Sequence, residues 1–288
     1  MIIYPPDVFV NGVIPAQNDF SKALNRFEKA AVNDHIGSRV LSYMTYGSHV
    51  RGDAHRASDI DILLIIDRAK HLAVIRDAIS EVYHEFGVQI NTRILTAAAI
   101  EEDLTPGLDP GFSRHLAHVL PYARLLGENP LALLPNDPDP VEVSVQRSVE
   151  GYWRRLNNAY AKSGRNEDEF LGFVHILTEK PMHAMREMLH LSGSTRHQDF
   201  KKAIADTYAS EYPSLFNLIQ PLLGNADNYV ALLNERETIP EDERKERYLH
   251  AIHGLANCYY GVERFLVRNK ILADRAARST RAQYQRIS

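Results

Sequence analysis

Tyr46-Gly47-Ser48-His49-Val50-Arg51-Gly52-Asp53-Ala54-His55-Arg56-Ala57-Ser58-Asp59-Ile60-Asp61-Ile62-Leu63-Leu64-Ile65-Ile66 is the stretch from which both fold and chemistry are read. An apolar run, Val40 to Tyr46, ends in a Gly-Ser turn, and eleven residues beyond Ser48 an Asp-x-Asp pair opens a second apolar run. Residues i and i+2 of a strand point to the same face, roughly 6–7 Å apart along it. Asp59 and Asp61 therefore stand side by side. Two carboxylates so placed can bracket magnesium ions about 3.5–4 Å apart. Glycine followed by a small hydroxyl lets backbone N–H groups come close to phosphate oxygens. The residue types and their spacing suit a triphosphate with Mg2+.

Outward from this stretch, the chain alternates between two periods. Phe20, Ala23, Leu24, Phe27, Ala30 and Ala31 share a helical face, with Gly37 as the expected stop. Val40–Tyr46 and Ile60–Ile66 read as strands, the second too apolar on both faces for a sheet edge. Leu72, Ile75, Ile79, Val82 and Phe86 form a second helical stripe closed by Gly87, and Val88 to Ile94 alternates as a third strand. Helix, strand, turn, strand, helix and strand make a small mixed sheet with helices. A helix is expected from Ala97 to Leu104, a loop from Thr105 to Gly111, and a mostly helical segment from Phe112 to Leu126, bent at Pro121.

Gly47-Ser48, the spacer with Arg51-Gly52, and Ser58-Asp59-Ile60-Asp61 resemble the signature of the nucleotidyltransferase superfamily, which includes DNA polymerase β and the aminoglycoside nucleotidyltransferases. The resemblance implies an NTP substrate, ATP first, with Mg2+ held by Asp59 and Asp61. It places Gly47, Ser48 and Arg51 on the nucleotide, and transfers an NMP to a hydroxyl acceptor. It also implies a third carboxylate on the third strand, where this chain reads Val88-Gln89-Ile90-Asn91-Thr92-Arg93. Gln89 is the better match to that acid and Asn91 the second. An amide neither accepts a proton nor ligates magnesium as a carboxylate does. Three readings stay open: a base borrowed from elsewhere, a weak catalyst, or an acid-to-amide change made to trap substrate.

Pro130, Pro135, Pro138 and Pro140, set among Asn and Asp between 129 and 140, mark a linker. Beyond it the pattern is helical. Val145, Val149, Tyr152, Trp153 and Leu156 share a face, and helices are expected over 170–191, 200–212, 214–234 and 241–269, joined by short loops as in an antiparallel bundle. The fold class is therefore α+β. The expected domains are a nucleotidyltransferase domain over 1–135, a helical bundle over 141–270 and a basic tail over 271–288. This order resembles the kanamycin and streptomycin adenylyltransferase type of architecture.

Lys180, in Thr178-Glu179-Lys180-Pro181, is a candidate to reach the triphosphate from the bundle, against the plainer reading of a solvated lysine at a helix end. Glu179 and, less so, Glu187 are candidates for a displaced base. His49 and His55 lie in the phosphate-side loop. Arg247 and His253 have a spacing seen in some helical ribonucleases, a pattern common by chance.

Composition bounds the rest. The 288 residues suit two ordinary domains, with 44% hydrophobic and 24% charged residues. A net charge of −4 opposes broad nucleic-acid binding, and the single Cys258 excludes an intramolecular disulfide. No apolar run approaches the roughly 20 residues of a membrane span, and residues 1–15 lack a signal-peptide pattern. A cytoplasmic protein without membrane attachment is expected, with a homodimer left open. The lead acceptor is a small hydroxylated molecule such as an aminoglycoside. RNA or a protein side chain follows, and a non-enzymatic nucleotide binder is the competing class.

Overall fold

The computed structural model describes residues 1–102, 112–134, 139–194 and 201–287. The chain divides into two units, one of Gly12–Leu108 and Phe112–Asn136, the other of Met1–Asn11 and Asp137–Ser288. The first eleven residues, expected with the sheet, belong instead to the helical unit. They carry the first short helix, α1 (Pro6–Asn11).

In the sheet unit, α2 (Asp19–Glu28) buries Phe20, Ala23, Leu24 and Phe27 as its periodicity predicts. A π-helical turn over Lys29–Asn33 then ends the helix, before Gly37 is reached. β1 (Val40–Tyr46) and β2 (Ile60–Ile66) have the bounds that their apolar runs suggested, with α3 (Ser48–Arg51) between them. α4 (Leu72–Phe86) crosses to β3 (Ile90–Thr96), which is parallel to β2. Gly87, at φ 66°, ends α4 by donating its N–H to the Tyr83 carbonyl at 2.9 Å. α5 (Ala97–Glu101) follows, capped by the Thr96 hydroxyl, and is shorter than expected. The loop expected over 105–111 lies outside the described residues.

The next segment departs from expectation. α6 (Phe112–Val119) is helical, but Pro121 sits in a 3-10 turn and the chain then extends as β4 (Arg124–Gly127). Pro121 has no N–H with which to continue the helix. The extended chain instead pairs antiparallel with β1, Arg124 opposite Thr45 and Gly127 opposite Ser42. The sheet order is β3-β2-β1-β4, mixed in direction as expected. The expected linker begins with a short helix, α7 (Pro130–Leu133), capped by Asn129.

Strand alternation gives the sheet two apolar faces. Tyr43, Ile60, Ile62, Leu64 and Ile66 pack with Phe20, Phe27, Ile75 and Val82 from α2 and α4. Met44, Leu63, Ile65 and Leu95 pack with Phe112, Leu116 and Val119 of α6. One charge is buried beside the first core. Glu28 accepts from the Tyr43 hydroxyl at 2.9 Å and pairs with Arg124 at 2.9 Å, while Thr45 donates to Tyr43 at 2.6 Å. A buried carboxylate with a cation and a hydroxyl on it is satisfied, and here it ties α2 to β1 and β4.

The helical unit contains α8 (Val141–Lys162), α9 (Glu167–Leu191), α10 (Lys201–Glu211), α11 (Pro213–Phe216), α12 (Gln220–Glu235), α13 (Glu241–Ala256) and α14 (Tyr259–Ile287). α9 packs against α8, α10, α13 and α14. Val145, Val149, Tyr152 and Leu156 of α8 are buried, as their stripe requires. The helix expected over 214–234 is two helices, since Pro221 can occupy only a first turn. The helix expected over 241–269 breaks at Asn257 and Cys258. No separate tail starts at 271, because α14 runs on to Ile287. The amino-terminal segment is bound at several points: Tyr4 donates its N–H to the Tyr229 hydroxyl at 3.1 Å, Phe9 stacks on Tyr248 at 4.7 Å, and Arg236 donates to the Phe9 and Val10 carbonyls. Among the described residues, no helix is long and apolar enough to cross a membrane.

Candidate active site

The site is built at the ends of β1 and β2. β1 delivers Gly47 at φ 84° and ψ −161°, a conformation open to glycine and strained for other residues. A Cβ at this position would also overlap Oδ2 of Asp61. Glycine is required here by its own backbone and by the carboxylate that lies against it. Ser48 then opens α3 and is almost fully buried. The turn closes when the Arg51 N–H donates to the Gly47 carbonyl at 3.3 Å, and those of Gly52 and Asp53 donate to the Ser48 carbonyl at 3.0 and 3.1 Å. The leading N–H groups of a helical turn have no partner within it, so they are suited to an anion.

The chain between the turn and β2 is pinned by its own polar groups. The Ser58 N–H donates to the His55 carbonyl at 2.7 Å, and the His55 N–H to the Ser58 hydroxyl at 3.0 Å. The Ala57 N–H reaches His55 Nδ1 at 3.2 Å, and Arg56 holds the Pro15 carbonyl at 3.1 Å. Ser58 and His55 thus shape the approach to Asp59. His49 leans on Phe20 with ring centroids 5.8 Å apart, and burial lowers its pKa, which keeps it neutral near pH 7. Arg51 turns toward Asp53 at 3.3 Å with its side chain only 8% exposed. In this arrangement it braces the turn.

The strands decide which side chain stands beside which. Asp61 is flanked by Tyr46 of β1 and Asn91 of β3. Cα partners in adjacent strands carry their side chains on one face, and the Asn91 amide donates to Asp61 Oδ1 at 3.1 Å. The register therefore sets Asn91, and not Gln89, beside Asp61. Gln89 lies one residue before β3, where its carbonyl accepts from the Ile60 N–H at 3.0 Å. It corresponds in register to Asp59. The sequence does contain the signal for this ordering. Ile60-Asp61-Ile62 and Ile90-Asn91-Thr92 both open a strand on isoleucine, and aligning the openings pairs Asp61 with Asn91.

Arg93, two residues beyond Asn91, is a contributor that motif reading missed. Its guanidinium lies 4.7 Å from the centre of the Phe112 ring. It also hydrogen-bonds the Tyr46 phenol, whose pKa is raised by burial and by Asp61 and held back by Arg93. The face thus carries two partly exposed aspartates, two amides and one fixed cation.

The donor set fits a hard divalent cation only in part. Asp59 and Asp61 offer carboxylate oxygens, which such ions prefer. Among the described residues no group of three or more His, Cys, Asp or Glu side chains could hold a metal. Remaining ligands would come from phosphate oxygens and water.

Lys180 lies in the other unit. It is no solvated helix-end lysine: it is buried in the middle of α9, 3.1 Å from Glu179 and over the Tyr152 ring at 5.8 Å. Glu179 is further flanked by His175 and His183, each at 3.4 Å. Burial alone would raise its pKa, but His183, Lys180 and His175 together hold it well below the usual carboxylate range. That opposes a role as general base, which needs a pKa nearer the working pH. Glu187 is buried 3.8 Å from Arg186. Arg247 is held by Glu243 at 2.6 Å, and His253 leans on Phe170.

Residues 25–109 match the family model described as the nucleotidyltransferase domain. The Gly47-Ser48 turn, both aspartates and the amides Gln89 and Asn91 all lie inside the match, so this part of the chain is a nucleotidyltransferase domain. No curated protein sequence matches the chain. Among solved structures, the crystal structure of spectinomycin adenyltransferase AAD(9) from Enterococcus faecialis with ATP and spectinomycin is similar, at 14% identity and a TM-score of 0.47, over 87% of this chain and 99% of that one.

Proposed function

We propose that this enzyme transfers a nucleoside monophosphate from a magnesium-bound NTP, ATP in the first instance, to the hydroxyl of a small-molecule acceptor. The observation that carries the reading is the contact of Asp61 with the Gly47 turn, which joins a carboxylate pair to a positive-φ glycine turn that opens a helix. Asp59 and Asp61 would hold the cation. When bound, it neutralises charge on the triphosphate and draws electron density from the α-phosphorus. The leading N–H groups of the turn and the Ser48 hydroxyl orient the outer phosphates. The acceptor oxygen forms a bond to the α-phosphorus as the bond to the bridging oxygen breaks, and pyrophosphate leaves. The domain contributes position and charge, as phosphoryl chemistry requires.

Gln89 and Asn91 cannot take the proton of the attacking hydroxyl, because an amide is not a base at neutral pH. That proton passes to water or to a group on the acceptor. A net charge of −4 favours a small acceptor over RNA. A third strand without a carboxylate also supports a second reading, in which the domain binds nucleotide without turnover.

Incubation of the chain with α-labelled ATP, Mg2+ and small-molecule extract tests both. Label on a small molecule is expected, and it should be lost in Asp59→Ala/Asp61→Ala. Tight Mg2+-dependent ATP binding with no label transferred would support the second reading. Equal ATP affinity in the double variant and the parent would overturn both.

A further inference from the structure

We propose that Asn91 is a positioning residue that makes this a one-cation site: it fixes Asp61 for the single cation that accompanies the triphosphate and withholds the ligand a second would need. The inference rests on the reading that Asp59 and Asp61 hold the nucleotide's cation.

The two oxygens of Asp61 have different neighbours. Oδ1 accepts from the Asn91 amide at 3.1 Å, and Oδ2 lies against Gly47. The amide must present its NH2 here, because the reverse orientation would set two oxygens face to face. A donor in that place strengthens the fixed charge of Asp61 and cannot itself ligate a cation. Two-cation sites hold their ions about 3.5–4 Å apart and need carboxylates to share between them. Among the described residues, the carboxylates of this face are Asp59 and Asp61. Beside them stand the amides Gln89, just before β3, and Asn91, followed by Arg93, whose guanidinium meets the Tyr46 phenol and the Phe112 ring. A second dication would lack a shared ligand and would meet the guanidinium charge. One dication, completed by phosphate oxygens and water, meets neither obstacle.

The test counts Mn2+ bound to the full chain by electron paramagnetic resonance, with saturating α,β-methylene-ATP. The parent should bind about one Mn2+ per chain with the analogue. Asn91→Asp, nearly the same in shape, should bind about two, with the line broadening of a coupled pair. Asn91→Ala should keep one Mn2+ and bind it roughly tenfold more weakly, having lost a hydrogen bond to a charged group. A purely structural role for Asn91 would not change the count. Two coupled Mn2+ in the parent would overturn the inference while leaving the nucleotide reading intact. One in Asn91→Asp, with thermal melting showing it folded, would overturn the assignment to Asn91. Analogue binding that ignores Mn2+ would overturn the reading beneath it.

Discussion

Two carboxylates in this molecule have been given opposite company. Asp61, at the mouth of the sheet, has a neutral amide on one oxygen and a glycine against the other. Glu179, in the helical unit, is bracketed by Lys180, His175 and His183. Each is held in place, Asp61 by an amide that carries no net charge and Glu179 by a lysine and two imidazoles. A carboxylate meant for a metal ion should be oriented by donors that carry no net charge. One meant to hold helices together is best neutralised where it stands. On the proposed reading the amide orients a ligand and the lysine steadies a brace, a difference that burial does not draw, since both side chains are partly covered.

The comparison can be broken at the mouth first. Gly47→Ala forces a side chain into a positive-φ position and against Asp61 Oδ2. Strain of this kind costs about 1–3 kcal/mol. Thermal melting should show that loss, and Mg2+-dependent ATP affinity should fall by more than about tenfold because the carboxylate is displaced. A variant with parental ATP affinity would mean that Asp61 does not serve the nucleotide.

The second effect concerns the brace. Glu179→Gln leaves the buried Lys180 without its carboxylate, and the loss should be about 1–3 kcal/mol, the cost of unpairing a buried charged group. The pH dependence has a definite sign. Glu179 has its pKa lowered on folding from an ordinary value of 4.5, so its stabilisation is complete above about pH 4.5 and is lost as pH falls below it. Chemical denaturation from pH 6 to pH 3 should show the parent losing its advantage over Glu179→Gln. A constant gap would show that the cation cluster does not stabilise the ionised form.

Smaller effects sharpen the assignment of the turn. Ser48→Ala should weaken NTP binding about tenfold, by loss of a hydrogen bond to a charged phosphate, and NMP binding less. Equal losses in calorimetry would place the hydroxyl away from the outer phosphates. Gln89→Ala should change cation affinity the least, within about twofold. Its structural bond uses the backbone carbonyl, which the substitution retains. A loss matching that of Asn91→Ala would return Gln89 to the centre of the site.

The legible parts of this fold are those set by neighbours along the chain. Val40–Tyr46 and Ile60–Ile66 declare themselves as buried strands, and the Gly-Ser turn and Asp-x-Asp pair sit where local geometry demands. α4 is visible through Ile75 and Val82, and its end through Gly87. What stayed hidden depends on partners far away in sequence. β4 has only four residues after a proline, and nothing in Arg124–Gly127 announces that β1 has an edge to fill. Asn91 ranked behind Gln89 because a motif matches positions along one strand, whereas a hydrogen bond to Asp61 is a property of two. Lys180 looked solvated because Thr178-Glu179-Lys180-Pro181 resembles a helix end, and the proline is instead carried inside α9. The break at Asn257 and Cys258 has no glycine or proline to mark it.

The amino-terminal segment has a consequence for synthesis on the ribosome. Its partners, Tyr229, Arg236 and Tyr248, emerge more than two hundred residues later. The sheet unit lies between them in the chain, so it can complete its own core while the first strip of the helical unit still waits. Closing such a long loop is slow, because its entropic cost precedes any reward from contact. The docking of residues 1–11 would then follow the packing of the sheet unit. A fragment starting at 137 would expose the groove that Tyr4 and Phe9 fill, and a peptide of residues 1–11 added in trans should raise its melting temperature.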